Sequence, residues 1–204
     1  MVAMAEEHTE LRHRNAALTD ALTGIANRSG FLEQAVASMR RANDAQSVAV
    51  LLFDLDRFKP INDQFGHGIG DRVLQIFADT AKAHINPGLV GRWGGDEFVA
   101  VLYDTPSDRA ATLAERIQVA FEKATADIDG RPAHATVSTG MVYSTAGALD
   151  LPSLLVQADS ALYRAKEKGR NRLEVTACEA AAAVSEGEQQ AARARLMRRQ
   201  EVAA

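Results

Sequence analysis

The sequence predicts a mixed α/β or α+β fold, with one central sheet that contains an antiparallel hairpin and is covered by helices. Two observations carry this prediction. Helical apolar periodicity alternates with short, apolar, β-branched runs in the order α-β-α-β-β-α-β-α-β. Two of those runs are separated only by Gly94 and Gly95, which is a spacing typical of a hairpin. The element order therefore favours a sheet with helices packed on it.

The first half of the chain is predicted to place one buried strand between two helices. The first helix runs from Phe31 to about Arg41, after the loop LTGIANRSG. Residues 47–56, SVAVLLFDLD, are apolar and β-branched and end in two acids, so they are predicted as a central strand. A loop follows, and then a helix from about Asp71 to His84 with an apolar face. The residues that indicate this loop are Pro60, Gly66, Gly68 and Gly70.

The second half is predicted to hold the hairpin, two helices and two further strands. The hairpin strands are GLVGRW and DEFVAVLYD. The segment TPSD is predicted to start a helix, because a proline stands in the first turn and an acid follows Thr105 by three residues. The remaining elements are the strand HATVSTGMVYST, the helix LPSLLVQADSALYRAKEKG, which ends at Gly169, and the closing strand NRLEV.

Three segments are predicted from these patterns. Residues 1–19 form a linker or helical stub, residues 20–176 form the folded domain, and residues 177–204 form an Ala-, Glu- and Arg-rich tail that is helical or disordered. A stripe of apolar residues spaced by seven extends across the boundary between residues 19 and 20. The stripe is too short to distinguish a coiled coil from a helix that packs on its own domain. The stripe consists of Leu11, Leu18 and Ile25, with Leu22 between them.

Composition narrows the class of protein. The chain has 204 residues, of which 47% are hydrophobic and 25% charged, and its net charge is −4. These values are typical of a globular protein without the positive field that grips long nucleic acid. The one cysteine, Cys178, favours a reducing compartment. The apolar runs are of strand length, and the first ten residues lack the pattern of a signal peptide. We therefore expect a cytoplasmic chain without contacts to membrane or nucleic acid.

Acidic pairs stand at two strand ends, Asp54 with Asp56 and Asp96 with Glu97. If the strand of residues 47–54 lies beside the hairpin, Asp54 and Asp96 come close together and need a cation between them. Oxygen ligands without a nearby His or Cys cluster suit Mg²⁺ or Mn²⁺. Two such ions about 3.5–4 Å apart would serve an in-line phosphoryl displacement. The alternative is that these acids are strand-end caps that face water.

Glycines and cations complete the pattern. Gly94 and Gly95 let the backbone turn sharply and let a bulky ligand approach it. Lys166 and Arg170 lie four residues apart near a helix end and so share a face that suits a triphosphate, and Lys59 is a third candidate cation. The alternative for the helix-end pair is that it only complements the helix dipole.

Five motifs in order and spacing resemble the GGDEF family of diguanylate cyclases. They are DALTGIANRSGF, FDLDRFKPINDQFGHGIGD, RWGGDEF, VSTG and ADSALYRAKEKGRN, and they extend from about Asp20 to Val175. The resemblance implies a βαββαβ sheet related to the palm of nucleotide cyclases and polymerases, with residues 20–176 as the catalytic domain. It also implies a homodimer that joins two GTP molecules into cyclic di-GMP. Each subunit would hold one GTP and two Mg²⁺ or Mn²⁺ ions in a half-site.

The resemblance assigns the catalytic and metal-binding roles by position. Asp54 and Asp96 match the metal-binding carboxylates, with the carbonyl of Leu55 as a further ligand. Asp96 also matches the base that takes the ribose 3′-OH proton, and Glu97 is a weaker candidate for metal or proton transfer. Lys59 matches the lysine that steadies the transition state.

The resemblance assigns substrate-binding roles to a second group. Asn62 and Asp71 match the residues that hydrogen-bond the guanine edge, and an acid there favours guanine because adenine lacks the N1–H and amine donor pair. Lys166 and Arg170 match the pair that grips the triphosphate. The backbone around Phe58, together with His67, Gly94 and Gly95, is counted with the substrate-binding group, although motif residues Arg92 and His67 have no specific role assigned.

One position departs from the family pattern. Many members carry an Arg-x-x-Asp product-inhibition site nine residues ahead of the first signature glycine, where this chain has Ile85 and Gly88. We therefore expect no feedback inhibition at that site. Two other functions stay open: a catalytically inactive module that binds GTP or cyclic di-GMP, and a related cyclase or polymerase-like enzyme of other base preference. The N-terminal stripe further implies an upstream sensor as a partner.

Overall fold

In the computed structural model, a sheet with helices on both faces occupies the described part of the chain, which comprises residues 17–41, 47–144 and 150–177 and residue 194. The strands of these residues are Val48–Asp56 (β1), Leu89–Gly94 (β2), Glu97–Tyr103 (β3), Thr136–Ser144 (β4) and Leu173–Ala177 (β5). The helices are Arg28–Arg41 (α1), Phe58–Phe65 (α2), His67–His84 (α3), Ser107–Ala124 (α4) and Leu151–Glu167 (α5).

The sheet has the order β2-β3-β1-β4-β5, with β1 at its centre. Strand β1 pairs antiparallel with both β3 and β4, β2 pairs antiparallel with β3, and β5 joins β4 in parallel. All nine residues of β1 are buried, because helices cover both faces of the central strand. The predicted mixed sheet with an antiparallel hairpin is therefore confirmed.

Alternate residues of β1 enter two separate cores. On one face, helices α3 and α4 pack over the sheet through an aromatic cluster in which the ring of Phe77 lies 5.3 Å from that of Phe53, 4.5 Å from Phe98 and 5.1 Å from Phe121. On the other face, helices α1 and α5 pack over β-branched and aromatic side chains, including Trp93. The ends of both α1 and α5 are thereby fixed relative to the sheet.

The loop predicted between β1 and the next helix is wrong in extent, because this segment folds into α2 and the first turn of α3. Pro60 stands in the first turn of α2, where its missing N–H would have no partner within the helix. Gly66, with φ of 84°, forms the junction between α2 and α3. Gly70 is buried inside α3, where a Cβ would lie 1.8 Å from Oδ1 of Asn62. These residues therefore join two helices closely rather than forming an irregular loop.

Two details at strand ends also differ from the predictions. Gly94 is the last residue of β2 and pairs with Glu97, so the hairpin turn consists of Gly95 and Asp96. Gly95 has φ of 53°, a left-handed conformation that glycine adopts without strain. Thr105 does not cap α4, because Pro106 holds the cap position without a side-chain hydrogen bond and the Thr105 hydroxyl donates to the carbonyl of Tyr103. The proline itself occupies a chain position that tolerates a missing N–H.

Several predictions fall on residues outside the described ranges. Leu11 of the N-terminal stripe and nearly all of the C-terminal tail belong to this group. Within the described ranges, none of the helices combines the length and the apolarity that a bilayer crossing requires.

Gly140 in β4 lets α5 approach the sheet closely. A Cβ at this position would lie 2.2 Å from the carbonyl oxygen of Ala158 and 2.2 Å from the backbone nitrogen of Leu162. Both atoms belong to the backbone of α5, so they cannot move aside as a flexible side chain would. The VSTG motif thus sets the distance between β4 and the helix that carries Lys166.

We expect Gly140→Ala to lower the free energy of unfolding by about 1–3 kcal/mol, because the added methyl group overpacks a backbone contact. Urea denaturation followed by circular dichroism measures the change. The matched control is Gly68→Ala in α3, where a Cβ would have no neighbour within 4 Å. That control should be neutral or stabilising by up to about 1 kcal/mol. Equal unfolding free energies for the two variants would contradict the close approach of α5.

Candidate functional site

The predicted metal-binding acids stand where the end of β1 meets the hairpin tip. In the pairing of β1 with β3, Asp54 lies opposite Glu97. The backbone N–H of Leu55 donates to the carbonyl of Asp96 at 3.1 Å. Asp96 is therefore tied through its backbone to the residue that follows Asp54. Strand β1 therefore lies beside the hairpin, as the metal-site prediction requires. The assignment of the individual ligands stays a prediction.

Asp54 is a buried carboxylate with a cationic partner. It is 9% exposed, and its Oδ2 lies 2.6 Å from Nζ of Lys166 at the end of α5. A carboxylate this buried is stable in its charged form only beside a cation or several donors. The ion pair brings one of the two predicted triphosphate-binding cations directly to the predicted metal ligand.

Asp56 has a different environment, although it lies on the same face of β1 as Asp54. Its carboxylate accepts hydrogen bonds from Thr136 Oγ1 at 2.8 Å, Ser138 Oγ at 2.6 Å and the backbone N–H of Asn171 at 3.0 Å. Asp56 is 6% exposed, so these donors replace its water. The interpretation of Asp56 as an acid facing water is therefore wrong. Instead, Asp56 anchors the loop after α5 to the sheet.

That loop adopts an unusual backbone conformation. Gly169, Arg170 and Asn171 have φ values of 109°, 65° and 44°, so three consecutive residues are left-handed. The turn ends with the N–H of Asn171 on Asp56 and exposes Arg170 to solvent. Since left-handed conformations are costly for residues with a Cβ, the hydrogen bond to Asp56 stabilises a loop that would otherwise relax.

The two predicted guanine ligands lie near the junction of α2 and α3, with Asn62 against the residue that precedes Asp71. Asn62 of α2 fits against Gly70 of α3, where a Cβ would collide with its amide oxygen. Asp71 is the next residue of α3 and is exposed. The side chain of Phe58 also contacts this point, because its ring edge would lie 3.3 Å from a Cβ at position 70. Lys59 and His67 are exposed on the first turns of the same helices.

Arg92 has a clear structural role, which the sequence left open. Its Nε and Nη2 donate to the carbonyl of Gly95 at 3.0 and 2.7 Å, and its Nη1 lies 3.2 Å from both carboxylate oxygens of Asp20. The side chain therefore links the hairpin tip to the segment before α1. Burial raises the pKa of Asp20, but hydrogen bonds from Thr23 and the charge of Arg92 outweigh it, so the pKa is lowered overall.

The donors at this end of the sheet fit a hard divalent cation. Asp54 and Asp96 offer carboxylates, and Leu55 offers a backbone carbonyl. In the described part of the chain there is no cluster of three or more His, Cys, Asp or Glu side chains that could form a metal site by itself. The oxygen-only set and the buried charge of Asp54 suit Mg²⁺ or Mn²⁺, which keep part of their coordination for water and phosphate.

Comparison with known proteins gives one consistent family. The profile described as "Diguanylate cyclase, GGDEF domain" matches residues 17–172. The diguanylate cyclase DgcM of Escherichia coli K12 is 42% identical over 170 residues, which cover 82% of this chain and 40% of DgcM. The diguanylate cyclase DgcP of Pseudomonas aeruginosa is 39% identical over 173 residues, which cover 82% of this chain and 25% of DgcP. The chain thus spans less than half of either relative.

A solved structure shows the same fold. The crystal structure of the coiled coil and GGDEF domain of DgcB from Caulobacter crescentus, in complex with c-di-GMP, superposes with a TM-score of 0.78 at 29% identity. The match covers 86% of this chain and 93% of that chain. The sheet and its flanking helices are therefore shared with a solved GGDEF domain.

Removing the Asp56 carboxylate should destabilise the fold. We expect Asp56→Ala to lower the free energy of unfolding by about 2–3 kcal/mol, because it leaves buried hydroxyl and N–H donors without an acceptor. Asp56→Asn should cost less, because the hydroxyl groups can reorient toward an amide. Urea denaturation measures both, with the exposed Asp63→Ala in α2 as the matched control. A loss no greater than that of the control would contradict the anchoring role.

Proposed function

The chain belongs to the GGDEF domain family, and on that premise we propose that residues 20–176 act as a diguanylate cyclase. The reaction joins two GTP molecules into cyclic di-GMP and releases two pyrophosphates. Identities of 42% and 39% to two named diguanylate cyclases support this activity. The observation that carries the proposal is the contact of the β1 end with the hairpin tip, where Leu55 N–H meets the Asp96 carbonyl at 3.1 Å and Lys166 meets Asp54 at 2.6 Å.

The proposed metal site uses Asp54, Asp96 and the carbonyl of Leu55 to hold two Mg²⁺ or Mn²⁺ ions in each half-site. When bound, such ions lower the pKa of a hydroxyl and neutralise charge on the transferred phosphoryl group. Lys166 then exchanges its carboxylate partner for phosphate oxygen, since the two roles use the same ammonium group. The tie between the Leu55 and Asp96 backbones supports a fixed separation of the two ligand-bearing strands.

The chain's own residues provide for proton transfer and for phosphate binding. Asp96 takes the proton from the ribose 3′-OH, and the 3′-oxygen forms a bond to the α-phosphorus of the other GTP. The bond from that phosphorus to the bridging oxygen breaks, and its electron pair leaves with pyrophosphate. A second identical attack closes the ring. Lys59, Lys166 and Arg170 hold the phosphates, and Glu97 is a second candidate for metal binding or proton transfer.

Two nucleotides must face each other in this reaction, so we propose that a homodimer is the active form. Each subunit supplies one half-site and one GTP. Asn62 and Asp71 bind the guanine edge, where the carboxylate accepts from N1–H and the exocyclic amine. Their adjacency at the α2–α3 junction supports this pairing. The backbone near Phe58, together with His67, Gly94 and Gly95, completes the proposed substrate contacts. An upstream sensor and a cytoplasmic location stay predictions.

Incubation of the purified chain with GTP and Mg²⁺, followed by mass analysis of the products, tests the function. We expect cyclic di-GMP and pyrophosphate from wild type, and a rate lower by about 10²–10⁴-fold from Asp96→Asn, which removes the base while it keeps the side-chain shape. The matched control is Asp104→Asn at the other end of β3, where the residue is exposed and left-handed. Asn tolerates that conformation, so the control should keep wild-type activity.

Two outcomes would replace the proposal. Nucleotide binding without any product would favour a catalytically inactive GTP or cyclic di-GMP module. A cyclic dinucleotide of another base would favour the cyclase of other base preference.

The segment that corresponds to the product-inhibition motif is packed with apolar atoms. Ile85 is 4% exposed. At Gly88, a Cβ would lie 2.6 Å from Cγ2 of Ile85 and 2.7 Å from the carbonyl oxygen of Val101. An aspartate at position 88 would therefore not fit without moving backbone. This packing supports the proposal that the chain lacks feedback inhibition at this site.

We expect no inhibition by micromolar cyclic di-GMP that acts through this segment, because Ile85 and Gly88 offer no guanidinium fork or carboxylate to its phosphates and guanines. Rates measured with increasing added product, at constant GTP, check this. A steep loss of rate that Ile85→Ala relieves would contradict the expectation, because the inhibition would then act through this surface.

A further inference from the structure

A cavity of about 440 Å³ opens on the outer side of the hairpin tip. The start of α1 forms one wall, and the end of β2 with the glycine turn forms the other. Two arginines, Arg28 and Arg92, line it together with Trp93, Gly94 and Gly95. The proposed substrate contacts include Gly94 and Gly95 of this lining, but they give no role to Arg28 or Trp93.

The two arginines differ in how their charge is balanced. Arg92 is neutralised by Asp20, whose carboxylate oxygens both lie 3.2 Å from its Nη1. Among the described residues, Arg28 makes no ion pair and no hydrogen bond through its guanidinium group. Burial lowers the pKa of Arg28, and no neighbouring acid opposes that effect. The cavity therefore carries one positive charge that this part of the chain leaves uncompensated.

Arg28 is held in place by an aromatic surface. Its guanidinium carbon lies 4.6 Å from the ring centroid of Trp93. Trp93 is 5% exposed and packs edge-on against Phe31, with ring centroids 6.3 Å apart. Stacking on an indole restrains a guanidinium group but leaves the N–H donors in its plane available. The arrangement thus positions a fork of donors without satisfying it.

The start of α1 adds a second positive contribution. Its first turn contains no acidic residue. Asn27 caps the helix through Oδ1, which accepts from the N–H of Gly30 at 3.0 Å. The N-terminus of this 14-residue helix bears the positive end of the helix dipole, so an anion in the cavity would be stabilised by both the dipole and Arg28.

The cavity also lies at the same end of the sheet as the proposed half-site. Helices α1 and α5 cover the same face, α1 beginning and α5 ending at this end. Lys166 approaches Asp54 at the end of β1, which is the neighbour of β3 on the side of the sheet centre. Arg28 lies against Trp93 of β2, which is the neighbour of β3 at the sheet edge. The hairpin tip thus has a cation on each flank.

We propose that this cavity is a phosphate-binding site in which Arg28 provides the fork for a phosphate group of a guanine nucleotide. The identity of the ligand as a guanine nucleotide rests on the proposed function, whereas the preference for phosphate rests on the cavity itself. Two sources share this chemistry: the triphosphate or pyrophosphate group of the substrate, and the phosphodiester of the cyclic product. Arg–phosphate pairs are charge-assisted and often bidentate, which suits a guanidinium group held over an indole ring.

Trp93 is the only tryptophan of the chain and reports directly on this cavity. Its fluorescence is titrated with three probes in Mg²⁺ buffer at constant ionic strength: inorganic pyrophosphate, a non-hydrolysable GTP analogue and cyclic di-GMP. We expect at least one probe to change the emission, and Arg28→Gln to weaken that binding about tenfold or more. Arg28→Lys should lose less, because it keeps the charge without the fork. A response to pyrophosphate or the GTP analogue assigns the site to substrate, and a response to cyclic di-GMP alone assigns it to product.

The matched control is Arg109→Gln, which removes an exposed arginine from α4 on the opposite face of the sheet and should bind as wild type does. Circular dichroism checks that Arg28→Gln is folded, and Arg28→Lys carries the test if it is not. The inference is overturned if no probe changes Trp93 emission, or if the Arg28 variants bind every probe as tightly as wild type. If the protein binds pyrophosphate through Arg28 but makes no cyclic dinucleotide, the proposed function is wrong and the phosphate site is retained.

Discussion

The register of β1 against β3 and β4 is the constraint on which the rest of the structure depends. Because alternate side chains of a strand point to opposite faces, a slip of one residue would move Asp54 into the core around Phe77 and would bring Leu55 out beside Lys166. The aromatic cluster on one face and the β-branched side chains on the other make such a slip very costly. The same hydrophobic contacts that stabilise the sheet therefore fix the position of the acids at its end.

Two buried carboxylates, two residues apart on one strand, have partners of different kinds. Asp54 has the ammonium group of Lys166 at 2.6 Å, a partner on a long and half-buried side chain. Asp56 has two hydroxyl groups and a backbone N–H, which are neutral and fixed by β4 and the loop after α5. One carboxylate thus pairs with a charged side chain, while the other holds the surrounding backbone in place. This difference suits the proposed function, in which Asp54 binds metal ions and Asp56 maintains the geometry of the surrounding backbone.

The hairpin tip is supported from outside the sheet as well. Arg92 ties the carbonyl of Gly95 to Asp20, and the backbone N–H of Arg92 donates to the carbonyl of Ala26 at 2.8 Å. The edge strand β2 is therefore covered by the segment that precedes α1. A displacement of that segment would shift the turn that contains Asp96, because hydrogen bonds and an ion pair connect the two.

The sequence by itself determined the strands, most of the helices and the hairpin. A short apolar run such as VAVLLF, bounded by polar residues, favours a buried strand, and helical spacing of apolar residues is a local property. The motifs also indicated which residues belong to the candidate site. The segment after β1 differs from its prediction, because proline and glycine usually mark loops. Whether Pro60 falls in a first turn, or Gly70 faces Asn62, depends on how α2 and α3 pack.

Only the tertiary structure decided which partners the charged groups take. Lys166 and Asp54 are 112 residues apart, Asn171 and Asp56 are 115 apart, and Arg92 and Asp20 are 72 apart. No local pattern marks such pairs, since each side chain alone is compatible with a solvated surface. The contact of Arg28 with Trp93 likewise joins residues that no local pattern links. Secondary structure follows from local periodicity, whereas the electrostatics of a site follow from distances that exist only after the sheet has closed.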